Sequence, residues 1–270
     1  MSTDLFTFFP NTAKYRPENA YWLGRAADLA YENGDKIAAE VGTWGFHQCR
    51  FFDRQETQAF LAGNDDMLIL AFRGTEPNKL TDWLSDAEFD LVPGPYGQVH
   101  KGFLKALSYV WQEVRAAIDQ MQTKGQALWI TGHSLGAALA TLATAKLRQE
   151  DKPVYGLYTF GQPRTGDRDF ADRFNADFKS RAFRFVNKED IVTRVPGRLM
   201  TYSHIGNYLY LDKDGKLSDD IGYWYRFIDC TKAVLDDLSE LQPGLPLFED
   251  HSMSNGYLPK LKLNINTYPA

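Results

Sequence analysis

From residue 66 onward, short apolar runs without alternation are separated by longer stretches of helical periodicity. DMLILAFRGTE (66–76), KGQALWITGHS (124–134), VYGLYTFGQP (154–163) and RAFRFVNKED (181–190) have the continuous apolar character of strands buried on both faces. Between them, GFLKALSYVWQEVRAAIDQM (102–121) places its apolar residues on one helical face. LGAALATLATAKLRQE (135–150) is a second helix, rich in small residues and closed by Asp151-Lys152-Pro153. Upstream, ENAYWLGRAADLAYEN (18–33) reads as a helix stopped at Gly34, and NYLYL (207–211) as a further strand. Strand, helix, strand, helix, strand in this order predicts an α/β fold: a mostly parallel sheet with helices on both faces.

Ligands of such sheets sit beyond the carboxyl ends of the strands. Thr75, Ser134, the stretch Gln162 to Thr165, and Asp190 all fall there. No repeat, low-complexity tract or linker interrupts the pattern, so the reading is a single domain over residues 1–270. Most of the first 65 residues and the segment 212–248 give no assignable pattern. GYWYRFIDC and LQPGLPLF in the latter suit core packing, or the wall of an apolar pocket.

Composition narrows the function classes. An apolar content of 44% supports a sizeable core, and a net charge of −5 with scattered Lys and Arg argues against nucleic acid and against a grip on anionic lipid. Cys49 and Cys230 are far apart and share no spacing with other ligands, so no metal is expected. Two separate thiols are the reading, with a disulfide left open. No cofactor is expected either. The amino-terminal residues carry no basic start followed by an apolar core, so no secretory leader is visible and an intracellular or non-classically exported protein is the default. No run approaches 18 apolar residues, and no transmembrane helix is expected.

The chemistry centres on GHSLG, residues 132–136. A serine between two glycines, directly after a buried strand and before a helix, is the context of a nucleophile elbow. The glycines leave room where a Cβ would strike the neighbouring strand or helix, and the helix N-terminus points its dipole at charge developing beside Ser134. A serine nucleophile needs a base, and the base an orienting acid. Of the five histidines, His204 and His251 follow the serine in the required chain order. His204 precedes a strand and falls at the wrong strand end, whereas His251 lies in a polar loop after all the strands, which favours it. For the acid, Asp190 at the end of a buried strand is favoured over its neighbour Glu189 and over Asp250. The oxyanion donors expected are the backbone N–H of Leu135 and Thr75, the latter through N–H and hydroxyl. Arg73 reads as an ion-pair partner.

Together, LAFRGT, VHKGF, ITGHSLGAALA, YTFGQPRTGD, FVNKEDIVTRVP and DHSMSNGY resemble the class 3 lipases, the α/β-hydrolase group that includes filamentous-fungal triacylglycerol lipases. The likeness runs from about residue 66 to 259. It implies an α/β-hydrolase fold with Ser134 as nucleophile, Asp190 as acid, His251 as base, and Thr75 with Leu135 as oxyanion donors. The Tyr202-Ser203-His204 element resembles a recurring non-catalytic feature of the family. The implied activity is hydrolysis of carboxylic esters, foremost triacylglycerols at a lipid–water interface, through an acyl-serine intermediate. Phospholipase A1 and feruloyl or short-chain esterase activity would use the same residues. A catalytically inactive binding protein is the alternative of another class.

The resemblance also implies a lid at about residues 78–91. There Leu80, Trp83, Leu84 and Ala87 share one helical face, which would cover the site in water and turn to lipid at an interface. A surface helix packed permanently on the body would show the same pattern. The secreted fungal members carry leaders and several disulfides. Neither is visible here, which implies a chain closer to bacterial members.

Overall fold

The computed structural model describes residues 5–76, 79–80, 89–188, 190–197, 200–219 and 246–267. In chain order its strands are β1 (Gln48–Arg54), β2 (Thr57–Gly63), β3 (Met67–Phe72), β4 (Leu91–Pro93), β5 (Gln98–His100), β6 (Ala127–His133), β7 (Gly156–Phe160), β8 (Gly166–Asp167), β9 (Ala182–Asn187), β10 (Tyr202–Ser203), β11 (Asn207–Leu211) and β12 (Leu217–Ser218). The main sheet has the order β1-β2-β3-β6-β7-β9-β11-β12. Its centre, β3-β6-β7-β9-β11, is parallel throughout, while β1, β2 and β12 pair antiparallel at the two edges. A second, small sheet pairs β10-β8-β5-β4.

The parallel strands are the continuous apolar runs of the sequence, and each is buried along its whole length on β3, β6, β7 and β9. Alternate residues feed two separate cores. Leu68, Leu70 and Phe72 pack into a layer with the helices α3 (Lys101–Met121), α4 (Leu135–Gln149) and α5 (Arg168–Phe178). Met67, Ile69 and Ala71 pack into the other, with α1 (Pro17–Leu29), α2 (Gly34–Thr43) and α7 (Leu258–Thr267). Each large apolar side chain so buried contributes about 1.5–3 kcal/mol, which fixes the sheet between its two layers. The short helix α6 (Pro246–His251) lies near the carboxyl ends of the strands.

One expectation is corrected. Gly34 does not end the first helix, which stops at Leu29; it opens α2, where Asn33 accepts a hydrogen bond from the Lys36 amide at 3.0 Å as an N-cap. The β1–β2 hairpin was unassigned because its turn residues Gln55 and Glu56 both adopt positive φ, 50° and 64°, without the glycine or asparagine that usually marks such a turn. Cys49 lies half-buried in β1 as a free thiol, and Cys230 is outside the described residues. No helix among the described residues is long and apolar enough to cross a membrane.

Candidate active site

Ser134 sits between the end of β6 and the start of α4, fully buried, with φ 57° and ψ −130°. Such a conformation costs on the order of 1–3 kcal/mol and persists only where the surroundings enforce it. They do so by close approach. A Cβ on Gly132 would collide with the Gly136 carbonyl, and one on Gly136 with the Phe72 carbonyl. The Ser134 amide donates to the Phe160 carbonyl on the next strand at 3.0 Å, and the Ser134 carbonyl accepts from Ala137 at 3.0 Å. The small residues Gly136, Ala137, Ala138 and Ala140 are all buried, which lets α4 lie close against the sheet.

Asp190 follows β9 and is fully buried. Its Oδ1 and Oδ2 are each 3.0 Å from Nδ1 of His251, its Oδ1 accepts from the Val192 amide at 3.0 Å, and its Oδ2 accepts from the Tyr257 hydroxyl at 2.6 Å. Burial acts to raise the pKa of this carboxyl, but the charge of His251 and the hydrogen bonds from His251 and Tyr257 outweigh it. The net direction is downward, and Asp190 stays ionised.

His251 ends α6 and is 4% exposed. Its backbone is held from two sides. The Asn187 side chain donates to the Asp250 carbonyl at 2.7 Å, and Nε2 of His133 lies 2.6 Å from the His251 carbonyl. Gly161, at φ 59°, passes directly beneath the pair. A Cβ there would lie 2.8 Å from Cε1 of His251 and 2.9 Å from Oδ2 of Asp190. With Asp190 held on Nδ1, Nε2 is the ring nitrogen left to exchange a proton.

Thr75 lies in the loop after β3, and Leu135 opens α4; both line one cleft of about 300 Å³, with Ala106, Tyr109 and Leu139 forming its apolar wall. Charged residues stand at the same cleft. Arg73 pairs with Glu76 at 3.2 Å and donates to the Glu56 carbonyl at 3.1 Å, the ion-pair role expected of it. Three polar atoms of the site are buried and have no hydrogen-bond partner among the described residues: Ser134 Oγ, His251 Nε2 and Thr75 Oγ1. Leaving such groups unpaired costs about 1–3 kcal/mol each.

The other sequence candidates fall elsewhere. Gln162 and Thr165 form a buried chain in which Thr159 donates to Gln162 at 2.6 Å and Gln162 to Thr165 at 3.1 Å, a role in shaping the loop. His204 precedes β11, which runs parallel to β9, and so lies at the opposite end of the sheet from Asp190. Leu80 is buried, while Trp83, Leu84, Ala87 and Glu189 lie outside the described residues. Sequence reasoning missed Tyr31, His133, Asn187 and Tyr257, which hold the site rather than form it. His133 occupies the variable position of the elbow, and Tyr257 closes the DHSMSNGY stretch without any pattern that announces a partner for Asp190.

The family model for lipase (class 3) matches residues 69–200, the span from β3 past Asp190. A secreted mono- and diacylglycerol lipase 1 from Fusarium solani is 34% identical over 219 residues, covering 78% of this chain and 60% of its own length. A triacylglycerol lipase OBL1 from Arabidopsis thaliana is 28% identical over 247 residues, covering 69% and 48% respectively. The chain thus spans about half the length of the curated relatives it matches. Among solved structures, a triacylglycerol lipase with a catalytic centre formed by a serine protease triad superposes with a TM-score of 0.64 at 26% identity, over 80% of this chain and 90% of that one. Its likeness and the sheet order identify the fold as α/β-hydrolase. These sequence relatives are fungal and plant proteins, so the bacterial affinity read from the cysteine count gains nothing from them.

Proposed function

The chain belongs to the class 3 lipase family, and on that premise we propose that it is a serine carboxylic-ester hydrolase acting on acylglycerols. Ser134 Oγ attacks the ester carbonyl carbon while Nε2 of His251 takes the hydroxyl proton. Asp190 holds Nδ1–H and stabilises the imidazolium. The Leu135 amide, with the Thr75 amide and hydroxyl, donates to the oxyanion of the tetrahedral intermediate. Collapse breaks the ester C–O bond, His251 returns its proton to the departing alcohol, and a water activated by the same histidine then releases the acid.

One observation carries this reading. Ser134 Oγ, His251 Nε2 and Thr75 Oγ1, the side-chain atoms the reaction uses, are each buried without a hydrogen-bond partner among the described residues, while Nδ1 of His251 and both oxygens of Asp190 are paired. An idle serine on a tight turn, or a binding protein without chemistry, gives no reason for the ionised Asp190 held on Nδ1 of His251.

Acylglycerols are the substrate class favoured by the named activities of the relatives, both acylglycerol lipases. The apolar face Leu80, Trp83, Leu84 and Ala87 supports a lid at about residues 78–91 that turns to a lipid surface. Hydrolysis of triolein, phosphatidylcholine and methyl ferulate compared side by side tests the class: triolein is turned over best if the reading holds. A rate that rises sharply as tributyrin passes its solubility limit supports the lid, and a smooth curve rules it out.

A further inference from the structure

The variable residue of the elbow, His133, is buried at the strand end with both ring nitrogens occupied, and its contacts reach the two loops on which the chemistry depends. Nε2 lies 2.6 Å from the His251 carbonyl. A carbonyl can only accept, so Nε2 carries the proton and donates. Nδ1 of the neutral ring is then an acceptor, and the Tyr31 hydroxyl, 2.8 Å away, donates to it. The Tyr31 oxygen also packs tightly against Gly74, the residue before Thr75, where an added Cβ would run into the hydroxyl. A chain of contacts, packing at Gly74 and hydrogen bonds from Tyr31 onward, therefore runs from the oxyanion loop through Tyr31 and His133 to the backbone of the triad histidine.

We infer that Tyr31 and His133 are positioning residues of the ester-hydrolase site, a relay that sets the oxyanion loop and the His251 loop relative to each other across the elbow. The inference rests on the function proposed above. Neither side chain is placed to react, because both hydrogen-bonding positions of His133 are taken inside the fold. Burial pushes the His133 imidazole down to about 3, with the neighbouring His251 charge acting in the same direction. The ring thus stays neutral while His251, whose ring centroid is 4.4 Å away, cycles through its charged form. A neutral ring there holds the base without repelling it. The fit is close on the other side as well: a Cβ at Gly74 would run into the Tyr31 hydroxyl, the His133 carbonyl and Cβ of Ser134.

Three substitutions separate the two ends of the relay. Tyr31→Phe keeps the ring and strips the hydroxyl that donates to His133 and packs against Gly74. His133→Asn places its carboxamide at the depth of Nδ1, which keeps the Tyr31 bond and releases the His251 carbonyl. His133→Gln reaches the depth of Nε2 and keeps the grip on that carbonyl. Turnover of a soluble nitrophenyl ester is measured per site titrated with a fluorophosphonate, so that misfolded protein does not count. Tyr31→Phe and His133→Asn are expected to lower kcat per titrated site by about tenfold with KM changed by less than about twofold, and His133→Gln to retain at least about a third of the wild-type kcat. A merely structural role would lower the melting temperature and the titratable fraction while leaving kcat per titrated site within about twofold of wild type in all three; that result, or a Gln variant no better than Asn, overturns the relay. Wild type and Ser134→Ala in the same assay distinguish the two failures. If wild type fails to label, or Ser134→Ala keeps its turnover, the hydrolase reading falls and takes the relay with it.

Discussion

Both carboxylate oxygens of Asp190 lie 3.0 Å from Nδ1 of His251, and the two residues are 61 positions apart in the chain. This symmetric seat fixes the tautomer as well as the ring. Nδ1 carries the proton, which leaves Nε2 free to act as the base in the proposed mechanism. Asp190→Asn presents an amide that can donate to Nδ1, favouring the tautomer with its proton on the wrong nitrogen. The expected loss is at least about a thousandfold in kcat with the fold retained, by analogy with other triads, and steady-state kinetics beside a circular dichroism spectrum checks it.

Tyr257 donates to the same carboxylate at 2.6 Å and accepts from the Asn187 amide at 3.1 Å. A hydrogen bond to a charged group contributes about 1.5–3 kcal/mol. Tyr257→Phe should therefore cost about tenfold in kcat and lower thermal stability, because the Asn187 amide also loses its acceptor. Unchanged kinetics would mean that Val192 and His251 suffice to hold Asp190.

Gly161 has no room for a side chain beneath the Asp190–His251 pair. Its φ of 59° adds strain for any other residue. Gly161→Ala is expected to reduce kcat by about a hundredfold, the scale set by displacing a reacting group by about 1 Å. Kinetics on a variant still seen to be folded by its melting transition decides this.

Thr75 Oγ1 has no partner among the described residues, which leaves it open to donate to the oxyanion in the proposed mechanism. Thr75→Ser should retain most of the activity, whereas Thr75→Val should lower kcat by about a hundredfold at little cost in stability, the effect of losing one such donor. Equal rates for the two variants would remove the hydroxyl from the oxyanion site.

Acid should destabilise the protein through two buried neutral histidines. Burial depresses His100 to about 4, against the opposing charge of Asp90, and depresses His133 to about 3. Both folded values lie below the ordinary histidine value of about 6.5, so between them and 6.5 the unfolded chain binds more protons. Stability is full above about pH 6.5 and falls as pH drops toward 4, by about 1.4 kcal/mol per pH unit for each histidine. His100 caps α3 by accepting from the Gly102 and Phe103 amides at 3.1 and 3.3 Å. Asparagine can serve as that cap without titrating. Urea midpoints at pH 7 and pH 5 should separate less for His100→Asn than for wild type; an equal separation contradicts the assignment.

The parallel centre of the sheet was legible because strands buried on both faces leave runs such as LILAF, which need no partner to be recognised. Chain order and strand ends singled out Ser134, Asp190 and His251 as candidates, and the structure brings Asp190 and His251 into hydrogen-bond contact. What sequence could not display were contacts whose meaning arises only in three dimensions. Tyr31 and His133 are 102 positions apart, and neither belongs to a shared periodicity. The strands of the small sheet are two or three residues long, too short for a pattern. Gly34 looked like a helix stop because glycine commonly is one; the Asn33 cap that makes it a helix start depends on how the backbone turns there.

The central claim is that Ser134 is the nucleophile of an ester hydrolase. Tributyrin hydrolysis by wild type and by Ser134→Ala, at matched melting temperature, tests it most directly. Wild type is expected to turn tributyrin over, and the variant to lose at least about ten-thousandfold. Turnover surviving in Ser134→Ala would contradict it.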